Sequence, residues 1–257
     1  MSSRNLNSLA VKLKELHVSG NPLLLANVWD ASSAQAIASH TATMAVATAS
    51  YAIASTQGIE DNDMTAKQNL TGVRNVVAGL RKAGKADSIP LSADLQDGYD
   101  GPGETIKQAI ALGVVGCNLE DVDNTNHTLR SIDDASNRIS TVLRAAEDAG
   151  VPDFVVNART DVLGYGGNIK DVIERGKAYL ERGATTVFVW GVGKWDIKEE
   201  EVEEMVAAFH GNLAVQPGSI GIKRLTELGV SRISVGPALW RKSNSVLVEE
   251  AQTMGLF

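Results

Sequence analysis

The chain has 257 residues, 44% of them hydrophobic, and a formal net charge of −7. This length and composition can bury a large core and fit one α/β barrel better than two small domains. The negative charge and the lack of a long basic run argue against nucleic acid and anionic membrane surfaces as partners. We therefore predict a single domain over residues 1–257, in which local positive charge could still hold a small anion.

The cellular compartment is suggested by what the chain lacks. Its one cysteine, Cys117, lies in an apolar run, so no internal disulfide can form and a reducing compartment is compatible. No apolar stretch is long enough to span a bilayer, and residues 1–18 do not form the continuous apolar core of a secretion signal. We expect a cytoplasmic protein. The basic residues Arg4, Lys12 and Lys14 leave a mitochondrial address as the alternative.

Periodicity predicts the elements in chain order. The first is an N-terminal helix that docks onto the domain through leucines at helical spacing, namely Leu6, Leu9, Leu13 and Leu16. Eight apolar, strand-like runs follow, at 23–30, 44–50, 89–96, 114–121, 154–161, 185–191, 212–218 and 232–237. Amphipathic segments between them predict crossover helices, most clearly at 64–84, 132–149, 168–183 and 196–210.

This alternation predicts an α/β fold, a (β/α)8 TIM barrel with an N-terminal helix and a C-terminal helical segment. Runs that are apolar on both faces belong to buried parallel strands. Glycines suited to left-handed helix ends stand at the helix-to-strand turns, at Gly113, Gly150, Gly183 and Gly229. An open, doubly wound sheet is the alternative, but the glycine-rich dinucleotide fingerprint is absent after the first strand. The longest loops are expected at 51–63, 97–103 and 122–131.

Charged residues close three of the apolar runs. Asp94 and Asp97 end the third run, Glu120 and Asp121 end the fourth, and Arg159 lies near the end of the fifth. Parallel strands of a barrel end at one rim, so these side chains are expected around one pocket. Asp94 and Glu120 can converge on a hard cation such as Mg²⁺, with Asp97 and Asp121 in an outer shell. A helix cap or a solvated loop charge is the alternative for each acid.

Arg159 follows an apolar strand, where its permanent charge needs a partner. It could hold a substrate carboxylate or phosphate through two parallel hydrogen bonds. A structural salt bridge to Asp161 or Glu120 is the alternative. Asn157, on the same strand face, is expected to add a polar contact deeper in the barrel.

Seven motifs together resemble the isocitrate lyase and phosphoenolpyruvate mutase superfamily, over nearly the whole chain. They are NVWDASSAQAIA, ATASYAIASTQGIED, SADLQDGYD, NLEDVD, VVNARTD, VFVWGVG and RISVGPAL. The resemblance implies a barrel enzyme assisted by Mg²⁺, with Mn²⁺ as a substitute, that acts on small 2-oxo acids or related carboxylates. It also implies an enolate-like or phosphoenolpyruvate-like species, and assembly as a homo-oligomer, a dimer or a tetramer.

The resemblance implies roles for individual residues. The family's principal metal aspartate, metal-shell glutamate and substrate-binding arginine match Asp94, Glu120 and Arg159. The segment whose hydroxyl and backbone amides hold the substrate's carboxylate and 2-oxo oxygen matches Ser50, Tyr51 and Ala52. Asp61 is similar to a loop aspartate near the reacting carbon, with a helix cap before DMTAKQ as the alternative.

The chain also departs from the family pattern. Gln96 stands where the family has a second metal aspartate. The segment after Glu120 lacks the lysine-cysteine-glycine motif of the lyases, which disfavours isocitrate and methylisocitrate cleavage. In that segment Asn124 is a candidate substrate contact in a lid and His127 a candidate proton donor, with a solvated turn as the simpler account. Trp190 replaces a histidine of the mutase branch, so it is expected to wall the pocket.

These features together predict a Mg²⁺-dependent lyase or decarboxylase acting on a small 2-oxo (di)carboxylic acid through an enolate. The alternatives are a carbon–phosphorus mutase or hydrolase, and a carboxylate-binding barrel that has lost turnover. A phosphate-binding barrel is also compatible with the glycines of 216–221 and 234–239. A Schiff-base aldolase is disfavoured because no strand-like run ends in lysine.

Overall fold

The barrel predicted from the sequence is present in the computed structural model, which describes residues 3–191, 193 and 195–257. Residues 1 and 2, at the start of the predicted domain, and Val192 of the VFVWGVG motif lie outside the described residues. Eight parallel strands close in chain order, and the eighth pairs with the first. They are β1 (Leu23–Val28), β2 (Val46–Thr48), β3 (Leu91–Asp94), β4 (Gly116–Glu120), β5 (Val155–Thr160), β6 (Thr186–Val189), β7 (Leu213–Val215) and β8 (Arg232–Ser234).

Helices connect the strands around the outside of the barrel. They are α1 (Ser3–Glu15), α2 (Ala31–Ala38), α3 (Ser50–Thr56), α4 (Ala66–Lys82), α5 (Pro102–Leu112), α6 (Ile132–Asp148), α7 (Ile169–Glu181), α8 (Glu199–Ala208), α9 (Ile222–Glu227) and α10 (Ala238–Thr253). Two short 3₁₀ helices (Asp61–Asp63 and Val162–Tyr165) and a hairpin (Val122–Asp123 with Thr128–Leu129) lie in the loops. In the described part of the chain no helix is long and apolar enough to cross a membrane.

All eight strand predictions are confirmed, and the open-sheet alternative is wrong. Leu23 of β1 pairs with Arg232 of β8, which closes the barrel. The glycines predicted at the helix ends adopt the left-handed conformation, for example Gly113 at φ 107° and Gly183 at φ 97°. Side-chain caps start several helices, as where Thr65 and Gln68 form a capping box at α4.

Two of the three predicted loops contain regular structure. The segment 51–63 holds most of α3 and a 3₁₀ helix, and 122–131 holds the hairpin. Helix α3 spans only seven residues, too few for an apolar period to show in the sequence. Its Ile53 is buried against Gly72 of α4, where any added Cβ would clash, so tertiary packing stabilises this short helix.

The N-terminal helix covers the end of the barrel where the strands begin, opposite their carboxyl ends. Leu6, Leu9 and Leu13 of α1 are buried and Leu16 is partly buried, which confirms the docking prediction. Leu13 lies against Gly116 at the start of β4, where an added Cβ would approach its side chain to 2.8 Å. The apolar core lies between strands and helices, whereas the middle of the barrel holds buried polar side chains: Asn27, Thr48, Ser92, Asn118, Asn157, Thr186, Arg232 and Ser234.

Candidate active site

A cavity of about 420 Å³ opens at the carboxyl ends of the strands. Asp94, Glu120 and Arg159 all line it, so the three side chains on which the sequence analysis depends share one compartment. Other residues singled out from the sequence also line it, namely Ser50, Tyr51, Asp61, Asn124, His127 and Trp190. Their placement agrees with the expected site, while their roles stay predictions.

Asp94 has one carboxylate oxygen without a partner. Its backbone N–H donates to the Thr48 hydroxyl at 2.8 Å, which fixes the end of β3. Its Oδ2 accepts a hydrogen bond from the Ser50 N–H at 3.1 Å, whereas Oδ1 is buried and accepts none from any residue that the structure describes. Buried polar atoms nearly always have partners, so an orphaned carboxylate oxygen marks a position that a ligand can complete.

Arg159 is held between two carboxylates. Its Nε and Nη2 each donate to Asp161 at 2.7 Å, and Nη1 donates to Glu120 at 2.6 Å. The structural salt bridge considered as an alternative is therefore present. Burial alone would lower the pKa of the guanidinium, but Asp161 and Glu120 outweigh it and raise that pKa. Burial raises the pKa of the Glu120 carboxyl well above its ordinary value, against the lowering effect of Arg159.

These pairs leave part of the guanidinium free. Three of the five N–H bonds of an arginine are engaged, so each terminal nitrogen of Arg159 retains one donor. The Trp190 ring covers the guanidinium face, with its centroid 4.2 Å from Cζ. Trp190 therefore walls the cavity and holds Arg159 flat, as its position in the sequence suggested.

Gln96 and Ser50 orient Asp61. The Gln96 amide donates to Asp61 Oδ1 at 2.9 Å, and the Ser50 hydroxyl donates to Oδ2 at 3.2 Å. Burial, together with the charge of Asp94, raises the pKa of Asp61 to about 6. The helix-cap alternative for Asp61 is wrong, because Thr65 caps α4. Gln96 thus supports the loop aspartate with its neutral amide.

Asp97 does not join Asp94, and the expected outer-shell position is wrong for it. After Asp94 the chain turns through Gln96 at φ 51°, which directs Asp97 into a neighbouring cavity of about 840 Å³. There Arg130 donates to its carboxylate at 2.7 Å. Asp121 is likewise outside the site: its side chain faces α7 and accepts hydrogen bonds from Tyr179 and Arg175.

The hairpin that follows β4 carries the two candidate lid residues. His127 is exposed at its turn, with φ 53°, and both it and Asn124 border both cavities. The Asn124 N–H lies 3.5 Å from Asp97 Oδ2, a long hydrogen bond. The hairpin therefore forms the partition between the two cavities.

The substrate segment after β2 differs from the expectation at one residue. Ala52 is fully buried inside α3 and does not line the cavity, so a substrate contact there is wrong, and Ala49 lines it instead. The backbone N–H of Ser50 donates to Asp94, and its hydroxyl donates to Asp61. Tyr51 lies at the cavity mouth, 36% exposed.

Arg241 is a site residue that the sequence analysis missed. It lies in the first turns of α10, lines the cavity, and places its guanidinium 5.1 Å from the centroid of the Tyr51 ring. Among the described residues no carboxylate pairs with it, so its charge is available to an anion. Its position after the last strand motif was the available signal, but it stands on a helix and not at a strand end.

The charges of the cavity suit a cation together with an organic acid. Asp61, Asp94, Glu120 and Asp161 face two guanidinium groups, so an acidic substrate needs added positive charge. Within the described chain no cluster of three His, Cys, Asp or Glu side chains gathers to hold a metal ion. Mg²⁺ keeps several waters and needs only one or two carboxylates from the protein, so the absence of such a cluster does not conflict with the predicted cation. Asp94 and Glu120 are the residues that would hold such a cation, which would supply positive charge to an acidic ligand.

Comparisons with known proteins identify the family. The phosphoenolpyruvate phosphomutase family model matches residues 13–254. An uncharacterised Mycobacterium tuberculosis protein is 29% identical over 229 residues, which cover 86% of this chain and 80% of the relative. The Escherichia coli 2-methylisocitrate lyase is 31% identical over 125 residues, which cover 44% of this chain and 41% of the lyase.

A solved structure matches the whole barrel. It belongs to a Burkholderia cenocepacia protein provisionally named a phosphonomutase, with a TM-score of 0.85 and 30% identity over 97% of this chain and 99% of that chain. Fold and family model therefore agree. The chain belongs to the phosphoenolpyruvate phosphomutase family, within the isocitrate lyase and phosphoenolpyruvate mutase superfamily of lyases and mutases that act on small carboxylic acids.

Proposed function

We propose that this protein is a Mg²⁺-dependent lyase or decarboxylase that cleaves a carbon–carbon bond in a small 2-oxo (di)carboxylic acid. One observation carries the proposal. Among the described residues, the cavity contains a carboxylate oxygen without a partner, at Asp94, and guanidinium N–H groups without carboxylate partners, at Arg159 and Arg241. A divalent cation would pair with the Asp94 oxygen, and an organic acid would accept hydrogen bonds from the guanidinium N–H groups.

The free groups suggest how the substrate lies. Arg159 retains one N–H on each terminal nitrogen, which suits two parallel hydrogen bonds to the carboxylate beside the 2-oxo group. Arg241, at the mouth, would hold a second carboxylate of a dicarboxylic acid. Trp190 excludes water from one side of Arg159, which strengthens these interactions.

The proposed reaction breaks the bond between C3 of the 2-oxo acid and the carbon substituent that C3 carries. The electron pair of that bond enters an enolate, and C3 then takes up a proton. The substituent leaves as CO₂, or as a carbonyl product after its hydroxyl group has given its proton to water. A bound Mg²⁺ supplies a Lewis acid that stabilises the enolate charge more than the ground state. His127, carried by the hairpin, or a water molecule would donate the proton.

A panel of acids tests this function. Oxaloacetate, phosphonopyruvate, phosphoenolpyruvate and 2-methylmalate are incubated with Mg²⁺ and enzyme, and each rate is compared with that of Mg²⁺ alone. We expect pyruvate from oxaloacetate, and its loss in Asp94→Ala. The matched control is Asp100→Ala, which removes an exposed carboxylate outside the site and should leave the rate unchanged. A wild-type protein that is inactive across the panel would contradict the proposal.

The same panel separates the two alternatives. Turnover of phosphonopyruvate alone would favour carbon–phosphorus chemistry. Binding of the acids without any product would favour a carboxylate-binding barrel that has lost turnover.

We also propose that the protein assembles with copies of itself through α10 and the residues after it. Helix α10 has no buried side chain, and large apolar side chains are exposed along it and beyond, at Leu247, Val248, Met254, Leu256 and Phe257. Such a patch is typical of an interaction surface. Light scattering should give the mass of a dimer or tetramer, and a monomer would contradict the proposal.

A further inference from the structure

A buried charge without a counter-ion lies beneath the cavity. Arg232, the first residue of β8, is fully buried, and no carboxylate pairs with it among the described residues. Its Nη2 donates to Asn118 Oδ1 at 3.1 Å and to Ser92 Oγ at 3.3 Å. Its Nε and Nη1 have no hydrogen-bond partner in the described part of the chain. An isolated buried cation is unfavourable, so its position calls for a reason.

Arg232 determines which way round the Asn118 amide lies. A guanidinium can only donate hydrogen bonds, so the amide oxygen of Asn118 must face it. The same oxygen accepts from Asn157 Nδ2 at 2.8 Å, and Asn157 Oδ1 accepts from Thr186 at 2.6 Å. With its oxygen occupied by two donors, Asn118 has its NH₂ group left for the cavity, which it lines.

The other interior asparagines do not share this property. Asn27 lines the same cavity, but its Nδ2 donates to the Thr48 carbonyl at 2.8 Å and its Oδ1 accepts from the Val235 N–H at 3.0 Å. Both ends of Asn157 are also used within the barrel. Of these three amides, Asn118 is the one whose N–H groups donate to no described atom.

We infer that Asn118 is a substrate-binding residue whose N–H donates to an oxygen of the 2-oxo acid, and that Arg232 is its positioning residue. This inference rests on the proposed function. Asn118 pairs in register with Asp94 of β3, so its amide adjoins the expected metal position. The buried charge of Arg232 polarises the amide and strengthens a hydrogen bond to an oxygen that gains negative charge.

Calorimetric titration of oxalate, which mimics the enolate of pyruvate, tests the inference on the Mg²⁺-loaded protein. Asn118→Asp keeps the volume and the oxygen that Arg232 and Asn157 need, but it replaces the donor with a negative charge. We expect the Kd for oxalate to rise about 100-fold, the scale of a lost hydrogen bond to a charged group. The matched control is Thr186→Val, which alters the same buried network at a residue that contacts Asn157 and not Asn118. It should change the Kd by less than about threefold.

Two variants of Arg232 separate positioning from mere structure. Arg232→Met releases the Asn118 amide and removes a buried charge, so we expect about tenfold weaker oxalate binding without a lower unfolding temperature. Arg232→Lys retains a donor and should restore part of the affinity. If a structural role alone were correct, the loss of binding would follow the loss of stability.

The outcomes distinguish this inference from the proposed function. If the wild type binds oxalate and Asn118→Asp binds it equally well, the role of Asn118 is wrong while the proposed function stands. If Arg232→Met binds as the wild type does, the positioning role is wrong. A wild type that binds no oxalate with Mg²⁺ contradicts both proposals.

Discussion

The two cavities at the rim of the barrel differ in whether their charged side chains are paired. In the larger one the carboxylate of Asp97 is neutralised by Arg130 at 2.7 Å, and Arg130 also pairs with Asp134 at 3.0 Å. In the smaller one Asp94 retains a buried oxygen without a partner, and Arg241 faces no carboxylate among the described residues. The buried carboxylate of the larger cavity is thus paired with a cation, whereas that of the smaller cavity keeps an oxygen with no described partner.

This difference separates structural charges from functional ones. Burying a charged group without a partner is unfavourable, so a protein that keeps such groups in a cavity reserves them for a ligand. Cavity size alone would favour the other compartment, because the larger cavity has twice the volume. Substitutions in the smaller cavity should therefore have the largest effects, and loss of an outer ion pair in the larger cavity the smallest.

Asp94→Asn should abolish activity with little loss of stability. The substitution removes the charge for which the cavity offers no partner, so we expect kcat/KM to fall at least 1,000-fold, as for loss of a metal ligand, roughly 4 kcal/mol of transition-state stabilisation. Steady-state kinetics and thermal unfolding measure the two effects. A variant with wild-type kcat/KM would remove Asp94 from the site.

Arg159→Met should destabilise the protein. It leaves Asp161 and Glu120 buried without their cation, which typically lowers the free energy of unfolding by about 3–5 kcal/mol. Urea denaturation measures this change. Arg241→Met is the matched control, because it removes a guanidinium that has no carboxylate partner among the described residues. Equal stability of the two variants would show that the paired and unpaired cations do not differ.

Asp61→Asn should change the pH dependence of stability in the metal-free protein. The pKa of Asp61 is raised to about 6 in the folded state, so its contribution is fully present below the unfolded pKa and is lost as the pH rises through 6. The amide variant avoids that loss and should gain about 2 kcal/mol over wild type between pH 4 and pH 8. A constant difference across this range would contradict the assignment.

Arg241→Met should act on binding of the second carboxylate. Loss of an exposed charge-assisted contact corresponds to about a tenfold rise in the KM for oxaloacetate, with kcat nearly unchanged. The Kd for oxalate, which mimics only the 2-oxo acid end of oxaloacetate, should stay within about twofold. An equal loss for both acids would place Arg241 elsewhere in the mechanism.

Asp134→Ala should have the smallest effect. It breaks the ion pair between Asp134 and Arg130 beside the larger cavity, where Asp134 is half exposed, so we expect a stability change of about 0.5 kcal/mol or less. Kinetic constants should match those of the wild type. A large kinetic effect would mean that the two cavities act together.

The barrel and the centre of its site were predictable from sequence because both depend on local pattern. Apolar runs identify buried strands, and a charged residue at a strand end must face the rim or the helices. Asp94, Glu120 and Arg159 therefore gathered as expected. Asp97 could not be placed this way, because the left-handed turn at Gln96 changes its direction.

What the sequence could not supply are contacts between distant segments. Arg241 stands on a helix, and its approach to Tyr51 depends on how α10 packs. The orientation of the Asn118 amide depends on Arg232, 114 residues away, which occupies a strand otherwise read as apolar. Family resemblance predicted which residues gather at the site. Whether each charged side chain has a partner depends on the folded structure.

The most direct test of the account is the coupling between metal and acid in the smaller cavity. Oxalate is titrated by calorimetry into the protein with Mg²⁺ and with a chelator, and Mg²⁺ is titrated with and without oxalate. Because the two ligands complete one unpaired set of charges, each should raise the affinity of the other by the same factor, about 100-fold or more. Oxalate binding of equal strength with and without Mg²⁺ would contradict the account.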